Sequence, residues 1–403
     1  MALFLRARSP KDAGNRLFWP GKKARMTKIF ISAGETSGEK YGAALIREFK
    51  RLNSQAKFFG LGGEKMLAAG LEPLASLREL NLIGVFEIIS HFPRILKLYS
   101  WLKKEITRRQ PQAAVLIDSP DFHLRLGRFL RRKGVPVLYY VSPTVWAWRK
   151  NRLKTIKKSV TKMLLIFPFE QKIYEEAKIP AAYIGHPLQE EIKLSLSREE
   201  FLRKYNLDHR KKIIALLPGS RPSELKNHLP QLTETLHLLR SSLPVEFLLC
   251  QSENLTSSEI DRYLPYPFPE LKILKEDKYE AMAYSDLILA SCGISNLEAA
   301  LLEKPLIAFY RISPFTYYLG KKFVYVKNYS IVNILLEQRV IPELIQHNFT
   351  AENLFLLSQE ILENQERREQ MIRSFQKMKE ILGNYPTSSL AAQELTNLLK
   401  NSS

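Results

Sequence analysis

Short apolar runs alternate along the chain with longer segments of helical periodicity, and this alternation constrains the fold more than any other feature. Strands that alternate with helices form parallel sheets wrapped by helices. The sequence therefore predicts an α/β fold with doubly wound parallel sheets, whose strands are Lys28–Ala33, Lys57–Leu61, Ala113–Asp118, Pro136–Val141, Lys162–Phe167, Lys211–Leu217, Val245–Leu249, Leu271–Leu274, Leu287–Ala290 and Leu306–Phe309.

The strands fall into two groups, which predicts two domains in a chain of 403 residues. A polar, charge-rich stretch, Gln189–Arg210, separates the groups. We place one domain at residues 26–190 and the other at 191–403. Two doubly wound domains that face each other form a cleft at the carboxyl ends of their strands, where ligands bind in such folds.

The formal charge of +20 favours a polyanionic partner, such as nucleic acid, anionic lipid or a phosphorylated substrate. Residues 1–25 hold seven of the Lys and Arg residues against one acid, Asp12, and they lack a long apolar core. We interpret them as a disordered basic extension, or as mis-assigned coding sequence before Met26. Further basic clusters lie at residues 125–133 and 149–158, where they form either solvated helix faces or a surface for anionic headgroups.

The first domain offers cleft residues at two strand ends. Glu35, Ser37 and Gly38 follow the first strand, in a turn whose amides either contact a ligand or only shape the turn. Asp118 and Asp121 follow the third strand, the usual position for a general base. We predict Asp118 as the base, and Asp121 as the better candidate for a helix cap.

Four further residues of this domain are candidates for the acceptor side of the cleft. Ser142, Trp146 and Arg149 lie in a loop after the fourth strand, where tryptophan packs either on a ligand or on the domain itself. His186 lies in a Gly-His-Pro loop and is either a ligand donor or part of the loop geometry.

The second domain carries two turns suited to a diphosphate. Gly219, Ser220 and Arg221 end one strand, and their amides and guanidinium match a phosphate. Gly293 opens a helix that carries Glu298, a carboxylate able to accept from ribose hydroxyls or simply favourable near a helix N-terminus. The two cysteines, Cys250 and Cys292, form neither a disulfide framework nor a zinc site.

One segment is apolar around most of its girth, which indicates either full burial or contact with lipid. It includes Leu82, Ile83, Val85, Phe86 and Ile89. No stretch of the chain is long and apolar enough to span a bilayer.

Taken together, these blocks resemble the lipid-A-disaccharide synthase family from about Thr27 to the C-terminus. The resemblance rests on several blocks in order: Ala33–Gly38, Ile117–Phe122, Tyr140–Arg149, Phe167–Glu170 and Leu217–Arg221. It implies two facing Rossmann-like domains of GT-B type and an inverting, metal-independent transferase without a cofactor. Such an enzyme joins UDP-2,3-diacylglucosamine to 2,3-diacylglucosamine 1-phosphate and releases UDP.

The resemblance also implies roles for single residues. Asp118 is essential, the UDP is surrounded by Arg221, Glu298, Asn333, Glu343 and Gln346, and the apolar segment docks a cytoplasmic enzyme on the inner face of the inner membrane. A homodimer that exchanges C-terminal helices is a further implication. The sequence departs from the family at Glu39, where Asp is usual, and at Cys292 and Ile294, which replace hydroxyl residues.

Two alternatives remain open on the sequence alone. A UDP-sugar epimerase or another glycosyltransferase would share the diphosphate turns but would need neither the apolar segment nor the two-tryptophan loop. A nucleic-acid-binding module is supported by charge only, without aromatic residues interleaved among the basic ones. We therefore expect no nucleic-acid partner.

Overall fold

The computed structural model describes residues 27–76, 88–147, 151–265, 268, 270–313 and 328–401. Its first half consists of the elements β1 Lys28–Ala33, α1 Thr36–Leu52, β2 Lys57–Gly62, α2 Glu64–Ala68, β3 Leu71–Ser76, α3 Ile88–Arg109, β4 Ala113–Ile117, α4 Pro120–Arg132, β5 Val137–Tyr140, α5 Arg152–Ser159, β6 Lys162–Leu165, α6 Glu170–Glu176, β7 Ala181–Tyr183 and α7 Leu188–Glu191.

The second half contains α8 Arg198–Lys204, β8 Lys212–Leu217, α9 Pro222–Ser242, β9 Val245–Cys250, α10 Ser257–Tyr263, β10 Leu271–Leu274, α11 Lys278–Tyr284, β11 Leu287–Ser291, α12 Ile294–Leu301, β12 Leu306–Tyr310, α13 Ile331–Leu335, β13 Glu343–Ile345, a 3₁₀ turn Gln346–Asn348, α14 Ala351–Glu363, α15 Gln365–Leu382 and α16 Thr387–Lys400.

The strands form two parallel sheets, which confirms the predicted α/β class. The first sheet has the order β3-β2-β1-β4-β5-β6-β7, and the second has the order β10-β9-β8-β11-β12-β13. All ten predicted strands are present within one or two residues of their expected ends, and β3, β7 and β13 are additional. The predicted linker contains two short helices, α7 and α8, joined by irregular chain.

The strand order reverses at one point in each sheet, between β1 and β4 and between β8 and β11. In doubly wound folds the loops at the carboxyl ends of these strands diverge to opposite faces and leave a crevice for ligands. In this chain the crevice loops begin at Gly34 and Asp118 in the first sheet, and at Pro218 and Cys292 in the second.

Helices cover both faces of the first sheet. Helices α3, α4, α5 and α6 bury one apolar face, with Leu102, Leu126 and Ile156 among the fully buried contacts. Helix α1 covers the other face, together with α16 from the C-terminal end of the chain. Across the described residues, no helix is long and apolar enough to span a membrane.

The C-terminal helices therefore return to the first sheet. The Tyr183 hydroxyl donates to the Leu382 carbonyl at 2.5 Å, and Lys162 pairs with Glu394 of α16 at 2.6 Å. The Gln189 amide donates to the Gly383 carbonyl at 2.7 Å, so the same corner also holds the segment that joins the two sheets.

Candidate functional site

The turn after β4 carries Asp118 in an unusual backbone conformation. Asp118 has φ 59° and Ser119 has φ 45°, so two successive residues other than glycine occupy the left-handed region. Such residues cost about 1 to 3 kcal/mol each and persist only where their surroundings hold them. Strain at a strand end in the crevice marks the turn as a functional candidate.

Gly34 allows the β1 loop to lie directly against this turn. Its amide donates to the Ile117 carbonyl at 3.1 Å. A Cβ atom at position 34 would lie 2.1 Å from the Ser119 Cβ, a distance that real atoms do not adopt. The predicted residues Glu35, Ser37 and Gly38 therefore start α1 beside Asp118, and Gly38 also packs close to Ile117.

The Asp118 carboxyl is partly buried and accepts from the Ser119 amide at 2.8 Å. Burial, and to a smaller extent the charge of Glu35, raise its pKa to about 6, while the Ser119 amide acts in the opposite direction. Such a carboxyl is ionised near neutral pH yet more basic than an ordinary aspartate, which suits a general base.

Asp121 differs from Asp118 in position and partner. The residue at the N-cap of α4 is Ser119, so the expectation that Asp121 caps this helix was wrong. Asp121 lies in the first turn of α4, where its exposed carboxylate accepts from Arg152 at 2.7 Å. Its carboxylate is thus engaged on the helix surface.

Glu39, where the family usually has Asp, supports the local backbone. The side chain is buried and its carboxylate accepts from the Lys65 amide at 2.7 Å. It lies against Gly63, where a Cβ would come within 2.5 Å of a carboxylate oxygen. Glu39 therefore holds the turn between β2 and α2.

The loop after β5 is anchored by buried polar groups. The Ser142 hydroxyl lies 2.8 Å from the Tyr174 hydroxyl, and the Trp146 ring meets Phe169 edge-on with centroids 5.5 Å apart. Burial raises the pKa of the neighbouring Glu170 to about 8, while nearby donors, Ser142 foremost, act in the opposite direction. The Ser142 and Trp146 side chains therefore fix this loop against α6 and the residue before it. Arg149 lies outside the described residues.

His186 is fully buried and neutral. Its Nδ1 accepts from the Leu188 amide at 3.2 Å, and its ring lies against Phe167 with centroids 5.2 Å apart. Burial lowers its pKa to about 3. These contacts hold the Gly-His-Pro loop in place.

In the second sheet, the β8 turn is held by a glutamate. Gly219 has φ 132°, and the Ser220 amide donates to Glu224 at 2.7 Å. The Tyr310 hydroxyl donates to the other oxygen of Glu224 at 3.2 Å. Arg221 is exposed at the N-cap of α9, with its guanidinium available to an anion at the crevice.

Glu298 is buried on α12 and has two partners. Its carboxylate accepts from Lys278 and, at 3.2 Å, from the Tyr279 hydroxyl. Gly293 is exposed at the start of the same helix. Beside it, burial raises the pKa of the Cys292 thiol well above its usual range, so this side chain stays a neutral thiol.

Asn333, Glu343 and Gln346 lie around one loop. The Asn333 amide donates to Glu343 at 2.8 Å, and Glu343 accepts from the Ser330 amide at 2.9 Å. The Gln346 side chain faces the Ile312 backbone amide and carbonyl at 3.1 and 3.2 Å. These contacts brace the chain between β12 and the C-terminal helices.

Of the predicted lipid-contacting residues, Leu82, Ile83, Val85 and Phe86 lie outside the described residues. Ile89 lies in the first turn of α3. Across the described part of the chain, no group of three or more His, Cys, Asp or Glu side chains is placed to hold a metal ion.

Four residues that contact the candidate site residues were not predicted from the sequence. His123 and Tyr139 contact the Asp118 turn, and Lys278 and Tyr279 contact Glu298. Only His123 had a usable signal, since a histidine five residues after a strand-end aspartate lies on the helix that follows the turn. The others come from distant strands and helices, which only the fold brings near.

Comparison with known proteins gives a family and a fold. The family model described as lipid-A-disaccharide synthetase matches residues 29–395. The lipid-A-disaccharide synthase of Geobacter metallireducens is 39% identical over 328 residues, covering 81% of this chain and 85% of the relative. That of Koribacter versatilis is 37% identical over 370 residues, covering 91% and 96%.

Solved structures of low sequence identity share the fold. A UDP-GlcNAc 2-epimerase from Neisseria meningitidis bound to UDP-GlcNAc has a TM-score of 0.60 at 13% identity, covering 93% of this chain and all of that one. Arabidopsis thaliana UGT89C1 complexed with UDP has a TM-score of 0.62 at 12% identity, covering 93% of this chain and all of that one. Two Rossmann-like domains of GT-B type are thus confirmed as the fold.

Proposed function

The chain belongs to the lipid-A-disaccharide synthase family, and on that premise we propose that Asp118 is the general base of its glycosyl transfer. The reaction joins UDP-2,3-diacylglucosamine to 2,3-diacylglucosamine 1-phosphate, giving the β-1,6-linked disaccharide 1-phosphate and UDP. The UDP-sugar is a substrate of this reaction. The observation that carries the proposal is the position of Asp118, a partly buried carboxyl at the strand-order reversal of the first sheet.

The proposed step is a single displacement. The Asp118 carboxylate takes the proton of the acceptor 6-hydroxyl as that oxygen attacks the anomeric carbon of the donor. The bond from this carbon to the UDP oxygen breaks, and UDP leaves with the electron pair. A base on one side of the sugar and a leaving group on the other give inversion at the anomeric carbon.

The UDP is proposed to lie at the strand ends of the second sheet. Arg221 and the amide-rich start of α12 at Gly293 offer donors to the diphosphate, while Gly219 and Ser220 form the turn that carries Arg221, with the Ser220 amide held by Glu224. Glu298 accepts from the ribose hydroxyls, which would replace its present donors Lys278 and Tyr279. Asn333, Glu343 and Gln346 then act by holding the loop that borders the nucleotide.

The acceptor is proposed to lie against the first sheet. The start of α1 with Glu35, Ser37 and Gly38 lies beside Asp118. The Ser142 and Trp146 loop follows β5 and the His186 loop follows β7, so both lie at the carboxyl-end edge of the same sheet. Across the crevice, the Thr36 hydroxyl donates to Asn254 at 3.2 Å, so α1 already contacts the second sheet's loops.

We also propose that one helical layer of the first sheet faces an anionic membrane, on the cytoplasmic side of the inner membrane. Helices α3, α4 and α5 carry six, four and four Lys or Arg residues against one, one and no acids. Their outer surface includes a shallow basic depression lined by Arg128, Arg131, Arg132, Lys157 and Lys158. Trp101 of α3 is 40% exposed on the same layer. Basic and aromatic side chains together suit lipid headgroups.

Two further proposals concern organisation. The domain division at about residue 190 falls within the short helix α7, between the two sheets in the chain order. A homodimer that exchanges C-terminal helices would place a partner's copy of α16 on α1 and β4, where this chain's own α16 packs.

The proposed reaction is tested by UDP release from UDP-2,3-diacylglucosamine, with and without 2,3-diacylglucosamine 1-phosphate, in detergent and EDTA. We expect release that depends on the acceptor and survives the chelator. Release without acceptor would indicate a UDP-sugar hydrolase or epimerase-like activity on the same fold. No release with either lipid would overturn the assignment of these substrates.

A further inference from the structure

The backbone carbonyl of Asp118 accepts hydrogen bonds from two buried side chains. The Tyr139 hydroxyl donates to it at 2.6 Å, and the His123 Nδ1 lies 2.7 Å from it. The Asp118 amide donates to the Tyr140 carbonyl at 3.1 Å. Both polar ends of this left-handed residue are thus fixed, one by the neighbouring strand and one by side chains from β5 and α4.

The hydrogen bonds define the form of His123. A carbonyl can only accept, so Nδ1 carries the proton and donates it to Asp118. The other nitrogen, Nε2, lies 2.7 Å from the Ser32 hydroxyl, which must then be its donor. Burial lowers the pKa of His123 to about 4, so this neutral tautomer is the form present at neutral pH.

The hydrogen bonds from His123 and Tyr139 end on the peptide carbonyl of Asp118 and do not involve its carboxyl group. The Asp118 carboxyl accepts from the Ser119 amide. The His123 nitrogens bond instead to the Asp118 carbonyl and the Ser32 hydroxyl. His123 is fully buried and bonded at both nitrogens, so it does not relay the proton of the reaction. Its contacts can affect catalysis only through the conformation of the turn.

We propose that His123 and Tyr139 are positioning residues, which hold the Asp118 turn in its left-handed conformation and so aim the carboxylate at the acceptor hydroxyl. The inference rests on the proposed role of Asp118 as base. Ser32 completes the arrangement by fixing the His123 ring from β1. The turn is thereby tied to β1, β4, β5 and α4 at once.

The test uses variants that separate the donor from the bulk of each side chain. Tyr139→Phe removes one donor and keeps the ring, while Tyr140→Phe removes a buried hydroxyl from the next residue of the strand, on the opposite face of the sheet. His123→Leu removes the second donor. His123→Asn keeps a donor at the place of Nδ1, because the amide nitrogen of asparagine and Nδ1 of histidine are both bonded to Cγ.

We expect Tyr139→Phe and His123→Leu to lower kcat by about 10- to 100-fold, the scale of a misplacement of catalytic groups. KM for the acceptor, UDP affinity and the thermal unfolding midpoint should change little, because the second sheet is untouched and each replacement keeps most of the buried side-chain volume. His123→Asn should recover most of the kcat, and Tyr140→Phe should match the wild type. If His123→Leu does not fold, the kcat of Tyr139→Phe alone tests the positioning role.

Wild-type kcat in both Tyr139→Phe and His123→Leu would overturn the proposal. So would losses that track unfolding, or a His123→Asn variant as impaired as His123→Leu. Asp118→Asn separates this outcome from failure of the proposed function. If Asp118→Asn is inactive while Tyr139→Phe and His123→Leu are fully active, the base stands without the positioning role; if Asp118→Asn is active, the base itself is wrong.

Discussion

The Tyr279 hydroxyl lies 3.2 Å from a carboxylate oxygen of Glu298 and also 3.2 Å from Glu191, on the short helix α7 between the two sheets. Glu191 in turn pairs with Lys40 of α1. One hydroxyl thus connects the proposed ribose-binding carboxylate to the first sheet. Nucleotide binding at Glu298 is therefore expected to compete with the contacts of Tyr279 and Lys278.

The first prediction concerns this carboxylate. Glu298→Gln should raise the Kd for UDP by about tenfold, because a neutral acceptor binds ribose hydroxyls less strongly and a charged hydrogen bond is worth about 1.5 to 3 kcal/mol. Isothermal titration with UDP measures the change. Glu303→Gln is the matched control, since Glu303 follows the same helix and pairs with Lys379. Equal affinities for Glu298→Gln and wild type would remove Glu298 from the nucleotide site.

The second prediction is the pH dependence of turnover. A base must be ionised, and the pKa of Asp118 is raised to about 6. We therefore expect kcat/KM, which reports the ionisation of the free enzyme, to rise with pH through a midpoint near 6, well above that of an ordinary aspartate. Glu35→Gln removes a charge that raises this pKa, so its midpoint should move to lower pH, whereas the exposed Glu64→Gln should leave the midpoint in place. An unmoved midpoint in Glu35→Gln would contradict this account of the shift.

The third prediction is the pH dependence of stability at Glu170. The folded-state pKa of about 8 lies above the unfolded value near 4.5, so folding takes up a proton between these pH values. Glu170 therefore stabilises the fold most at low pH, and this contribution is lost as pH rises through 8. Glu170→Gln stays neutral at every pH, so the thermal midpoint of wild type should fall relative to this variant between pH 5.5 and 8.5. Parallel pH profiles for the two proteins would show that Glu170 is ionised in the fold.

The fourth prediction concerns the membrane-facing layer. The triple substitution Arg128→Gln, Arg132→Gln and Lys157→Gln should weaken binding to vesicles with anionic lipid by about 100-fold, at about 1 kcal/mol per basic residue. The control removes three exposed lysines of the second half, Lys226, Lys275 and Lys377. Co-sedimentation at low and high salt measures both, and wild-type binding should weaken with salt. Equal loss in the two triple variants would indicate attraction by net charge alone.

The sheets were predictable because their strands are continuous apolar runs that end at polar turns. The strands that escaped prediction, Leu71–Ser76, Ala181–Tyr183 and Glu343–Ile345, lie at sheet edges, where partial exposure weakens the apolar signal. The return of α16 to the first sheet was also not predicted, because helical periodicity does not identify the surface that a helix covers.

The site was predictable in its strand-end residues and not in their support. Asp118 is identifiable from its place after an apolar strand, but its left-handed backbone depends on Tyr139 of the next strand and on close approach to Gly34. The partners of Glu298 come from α11, a separate helix. Roles for Asn333, Glu343 and Gln346 came only from the family resemblance, and whether they contact UDP stays a prediction.

The most direct test of the account compares Asp118→Asn with the wild type in acceptor-dependent UDP formation and in UDP affinity. We expect a fall in kcat of about 100- to 10,000-fold, the range of general acid–base catalysis, with UDP affinity and the thermal midpoint nearly unchanged. Turnover within a few fold of wild type would contradict Asp118 as the base. Equal losses of turnover, UDP affinity and stability would instead assign Asp118 to the fold.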